Sequence, residues 1–109
     1  MVPAAASGFG AGIGRAGLVC GAVSGAAIVA GLSFGNDLSQ EERGRLYCIL
    51  LDLVRSFEER FGSATCRELI GYDLSDTAAL KEARDSGIFA SKCAGFVEFC
   101  ASEICRALE

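Results

Sequence analysis

Residues 39–62, SQEERGRLYCILLDLVRSFEERFG, decide the fold class. Ser39 followed three positions on by Glu42 is a capping-box pattern, in which the hydroxyl accepts from the first turn and the carboxylate reaches back to the cap. Leu46, Ile49, Leu50, Leu53, Val54, Phe57 and Phe61 then recur at helical spacing. Arg45, Asp52, Arg55 and Glu59 take the opposite side, and Gly62 supplies the stop. This is an amphipathic helix with one face to bury.

Toward the C-terminus the same signals repeat. Thr65-Cys-Arg-Glu68 is a second capping-box pattern, opening a short helix that Gly71 ends. The turn residues 72–76 precede a polar helix from Thr77 to Arg84, with Gly87 as its breaker. Ser91 is a cap candidate for a last helix whose stripe is Cys93, Phe96, Val97, Cys100, Ile104 and Leu108. No segment alternates with period two, so the expected class is all-α, a small bundle of four to five helices.

Toward the N-terminus the composition changes. Residues 1–35 carry one charge, Arg15, and the run between Gly17 and Gly35 is uncharged. Gly17, Gly21 and Gly25 repeat every four residues, which predicts one glycine-lined face of an apolar helix. Ala, Gly and Ser dilute its hydrophobicity and no basic cluster flanks it, so a buried helix is expected rather than a membrane span.

The 109 residues make one expected domain, cysteine-rich and helical. Apolar residues are 51% and charged ones 22%, a composition able to form a core without disulfide staples. A net charge of −4 repels phosphate backbones and anionic lipid, so nucleic acid is not an expected partner and a membrane is a poor one. With no basic n-region ahead of the apolar stretch, the six cysteines read as reduced thiols of a cytoplasmic chain.

There is no histidine, which excludes Ser-His-Asp and Cys-His catalysis, imidazole zinc ligation and C-x-x-C-H haem attachment. What remains for chemistry is thiols. No C-x-x-C occurs, so spacing alone defines neither a thioredoxin-like pair nor a zinc knuckle. Gly12-Ile-Gly-Arg-Ala-Gly17 matches the dinucleotide fingerprint, but no strand precedes it and no βαβ unit follows; turn and packing glycines are the expectation.

Cys66 and Cys93 are each expected in the first turn of a helix, where the dipole would stabilise a thiolate, with Arg67 and Lys92 alongside. Cys20 is expected mid-helix on the glycine side, Cys100 in the core, and Cys48 on a polar face. Cys100 pairs with neither Cys93 nor Cys105 inside an intact helix, because neither spacing brings two sulfurs together.

Three segments taken together, SGFGAGIGRAGLVCGAVSGAAIVAGL at 7–32, FGSATCRELIGYDLS at 61–75, and a later cysteine opening a terminal helix, resemble the putative redox-active proteins named for a C_GCAxxG_C_C cysteine pattern. The resemblance runs from about Ser7 to Leu108 and is closest in RELIGYDLS. By that resemblance Cys66 takes the place of the cysteine before R-E-L, Cys93 that of the final helix, and Cys20 that of the GCAxxG block, one position early. Cys48, Cys100 and Cys105 have no counterpart. The cysteine the family carries upstream of the glycine-rich block is expected to be missing here, along with its helix.

The resemblance implies redox work by thiol/disulfide exchange at Cys20, Cys66 and Cys93, with a redox partner protein. The alternatives are a thiolate-held metal or iron-sulfur centre on the same cysteines, and a structural or interaction subunit with packing cysteines only. No cofactor follows from the residues themselves. A homodimer through the Gly17, Gly21, Gly25 face is expected to cover the uncharged lead.

Overall fold

The structure, a computed structural model, describes residues 7–109; the Met1–Ala6 lead ahead of the glycine fingerprint lies outside them. Its interior is built by three helices. These are α1 (Gly21–Phe34), α2 (Gln40–Phe61) and the long C-terminal α5 (Ala94–Ala107), which pack on one another pairwise. Two shorter helices, α3 (Cys66–Ile70) and α4 (Thr77–Ser86), connect α2 to α5. The all-α class holds: among the described residues the only β pairing is one isolated antiparallel bridge, Val19 with Thr65.

Helix α2 is the element its residues prescribe. Ser39 Oγ accepts from the Glu42 amide and Glu42 Oε1 accepts from the Ser39 amide, both at 3.1 Å. Gly62 ends the helix at φ 89° and donates back to the Glu58 carbonyl. Its buried residues are Leu46, Leu53 and Phe57. Phe57 is fully buried and meets Phe61, Phe96 and Phe99 at centroid distances of 4.8, 5.6 and 6.0 Å, an aromatic cluster that clamps α2 to α5.

Helix α4 starts on Asp76, whose carboxylate accepts from the Ala79 amide, and stops at Gly87. Thr65 behaves differently from the expected cap. Its hydroxyl meets Ser63 Oγ at 3.1 Å and makes no cap bond to α3, so the T-x-x-E pattern there is not a capping box.

The apolar N-terminal helix is shorter than its composition predicts. It begins at Gly21, and Gly17 lies before it at φ 72° with its α-carbon against Arg67; a Cβ there would stand 2.9 Å from Arg67 Cβ. Gly21 is backed by Phe9 of the same chain, whose carbonyl oxygen a Cβ would meet at 3.1 Å. Gly17, Gly21 and Gly25 therefore form no common helix face, and two of the three are covered by their own chain. Among the described residues no helix is long and apolar enough to cross a membrane.

The last helix also departs from expectation. Gly87 is left-handed, Ile88 is already helical, and Phe89–Cys93 make one turn of π-helix that runs on into α5. Ser91 sits inside that turn, its hydroxyl donating to the Ile88 carbonyl, and caps nothing. The wide turn sets Phe89 and Cys93, then Phe96 and Val97, along one side, toward the segment that enters α1.

Candidate functional site

The Val19–Thr65 bridge joins the segment before α1 to the segment before α3. The Cys20 amide donates to the Ala64 carbonyl at 2.8 Å, and the Cys66 amide donates to the Leu18 carbonyl at 2.6 Å. Across an antiparallel pair this places Cys20 opposite residue 64, so that Cys66, two further on, is its diagonal neighbour on the same face. Cys20 is the residue capping α1 and Cys66 is the first of α3. Cys20 is thus not mid-helix, and its extended conformation, with φ −55° and ψ 133°, is what turns it toward Cys66.

The third cysteine arrives from the opposite wall. Cys20, Cys66 and Cys93 line one partly open cavity of about 360 Å³, whose other walls come from Ala11, Gly21, Ala22, Leu74, Phe89, Phe96 and Val97. The three cysteines named from the sequence are therefore brought together, by three different segments. Cys100 is buried farther along α5, while Cys48 and Cys105 are exposed.

The expected electrostatics are reversed. Burial pushes the Cys66 thiol up from its ordinary range, and the thiols of Cys20 and Cys93 push the same way. Burial also raises Cys93, with Cys20 adding to it, and takes Cys100 up to about 11. The reasons are local. Helix α3 has five residues, too few aligned peptides for a strong dipole, and Cys93 has a helical turn in front of it rather than a free helix end.

Neither neighbouring cation compensates. The Arg67 guanidinium pairs with Asp73 at 3.3 Å, and Lys92 Nζ donates to the Leu69 carbonyl at 3.4 Å. Asp73 is held below the usual carboxylate range chiefly by Ser75, whose hydroxyl and amide both donate to it, with Arg67 helping. Burial therefore favours the protonated thiol at Cys66 and Cys93.

Among the described residues no three Cys, Asp or Glu side chains are grouped to hold a metal ion. All six cysteines stand as free thiols.

The glycine fingerprint resolves into a turn. Gly12 and Gly14 are left-handed at φ 68° and 57°, and Gly12 is buried so tightly that a Cβ would strike the Leu18 amide nitrogen at 2.4 Å. This fold of the lead seats Ala11 in the cavity wall. What the sequence could not disclose was the pairing of Cys20 with Cys66, because the bridge that creates it is one residue long and leaves no period-two trace.

No curated protein and no solved structure matches the chain. A family model described as "Putative redox-active protein (C_GCAxxG_C_C)" matches residues 1–107. With nearly the whole chain matched, and with cysteines of the glycine-rich block, the R-E-L segment and the last helix facing one cavity, the chain belongs to the C_GCAxxG_C_C family.

Proposed function

We propose that the chain works by thiol/disulfide exchange at Cys20 and Cys66, with Cys93 as the third sulfur able to take up either partner. The observation that carries this reading is the convergence of the three on one partly open apolar cavity. A raised thiol pKa slows attack, but it also makes that sulfur a poor leaving group once it is in a disulfide. Cys66 therefore fits the reducing side of an exchange, giving electrons to a substrate or redox partner protein in a cytoplasm that keeps the other thiols reduced.

Diagonal neighbours on a bridge have α-carbons about 7–8 Å apart, against about 4.4–6.8 Å for a disulfide. Closure thus asks for a shift of about an ångström or two, within reach of a segment that ends in a cap and a short helix. Thiol trapping before and after mild oxidation, with the modified peptides mapped, tests the reading. Loss of two hydrogens shared between Cys20 and Cys66, or between either and Cys93, is expected. If all three trap equally before and after, exchange is wrong; if serine at each changes stability alone, the cysteines are packing residues.

Pairing of two copies, expected from the sequence through Gly17, Gly21 and Gly25, is part of the same proposal; with Gly17 outside the helix and Gly21 backed by Phe9, it would use open Gly25 and exposed Val29 and Leu32 of α1. Light scattering under reducing conditions decides it, a single-chain mass being the outcome against.

A further inference from the structure

We propose that the substrate reduced by this thiol pair is a small, uncharged, apolar disulfide. The proposal rests on the exchange reading above and adds the substrate class. The cavity that holds the thiols has no charged residue in its wall; beside the three cysteines it is lined by small and hydrophobic residues, among them Leu74, Phe89, Phe96 and Val97. The two cations nearest in sequence are committed elsewhere, Arg67 to Asp73 and Lys92 to the Leu69 carbonyl. A substrate carboxylate or ammonium entering here would lose water and find no partner.

The space also continues. A second apolar groove of about 410 Å³ runs between α1 and α5 and shares Gly21, Ala22 and Val97 with the first. Val97 stands at the junction, more than half exposed at 57%. Substituents on the disulfide would lie along this groove, in a pocket whose combined apolar wall is of the kind that binds small molecules.

The step is balanced without any further reactant. One thiol of the pair, as thiolate, attacks one sulfur of R–S–S–R; the Cys–S–S–R bond forms, the original S–S bond breaks, and RS⁻ leaves, taking up the proton released when the thiol ionised. The second thiol then attacks the protein sulfur of the mixed disulfide. A Cys20–Cys66 disulfide forms, a second RSH leaves, and two electrons have passed from the protein to the substrate.

The test compares reduced protein with diethyl disulfide, with the dication cystamine and with the dianion of 3,3′-dithiodipropionic acid, each rate being divided by that of the same chain in denaturant to remove intrinsic reactivity. The folded-to-unfolded ratio is expected to be at least about tenfold higher for diethyl disulfide than for either charged reagent. Val97→Lys, at an exposed position that leaves the core intact, is expected to erase that preference and favour the dianion, while Val97→Leu keeps it. Equal ratios for the three reagents, with the intramolecular disulfide still formed, overturn the substrate class and leave exchange standing. Absence of the intramolecular disulfide with every reagent, in a chain of undiminished helicity, overturns both.

Discussion

Cys20 and Cys66 lie diagonally across the bridge of Val19 and Thr65, each held there by its own backbone amide, bonded to Ala64 and Leu18 respectively. Both side chains are buried in the core, and these main-chain hydrogen bonds fix the diagonal register between them. Serine at either position should keep the bridge and the helices while preventing the Cys20–Cys66 disulfide we propose, and far-ultraviolet circular dichroism beside peptide mapping will check both halves of that expectation.

Thiol reactivity should sort by burial. Cys48 and Cys105 are exposed and should alkylate first at neutral pH, whereas Cys100, buried and with its pKa pushed up to about 11, should be the slowest. Rapid labelling of Cys100 in the native chain would contradict the packing of α5 on α1.

The same raised thiols make stability depend on alkaline pH. Cys66, Cys93 and Cys100 hold their protons more tightly folded than unfolded, so the contribution is intact below the unfolded thiol pKa and is lost as pH rises through the folded values. For Cys100 the window runs from about 9 to about 11, with a loss of up to roughly 3 kcal/mol. Denaturant midpoints across that range should fall, and should fall less in Cys100→Ala.

Capping separates the two S/T-x-x-E patterns. Ser39→Ala should cost about 1 kcal/mol, because it removes a bond the helix uses. Thr65→Ala should cost clearly less, since its hydroxyl serves Ser63 and not α3. Equal losses in urea titration would mean that Thr65 caps in solution.

Two glycines should respond in opposite directions. Gly17→Ala forces a β-carbon into Arg67 at φ 72° and should destabilise by about 1–3 kcal/mol, disturbing the entry to Cys20 as well. Gly25→Ala meets open space within α1 and should be neutral or stabilising by about 0.5–1 kcal/mol. Thermal melts of the two variants make the comparison.

The sequence was most legible where one segment carries its own instructions. Helix α2 has a cap, a sustained stripe and a stop, and each appears where the residues place it. The three cysteines that share the cavity were nameable from the family pattern, and Cys66 and Cys93 also from their expected places at helix starts. Legibility failed where a neighbour overrides local preference. Gly17 has the spacing of a helix-face residue, yet its contact with Arg67 pulls it into a turn. Cys93 follows a plausible cap, yet the helix had already begun at Ile88, and the π-turn that absorbs the difference has no sequence signature. The thiol environment was misjudged for a related reason, because adjacency of Arg67 and Lys92 in the chain says nothing about which way those side chains leave it.

The diagonal bridge finally ties redox state to folding free energy. Cys20 and Cys66 are separated by the whole of α1 and α2, so a bond between them would close a loop of about 46 residues and remove roughly 4 kcal/mol of chain entropy from the unfolded ensemble, less whatever strain closure costs. Thermodynamic reciprocity then works in both directions: the free energy the disulfide lends to the fold is the free energy the fold lends to the disulfide. In the unfolded chain the pair would be an ordinary, easily reduced disulfide; in the folded chain it becomes a stronger electron donor by the same amount. The melting temperature of this protein should therefore be a gauge of its oxidation state.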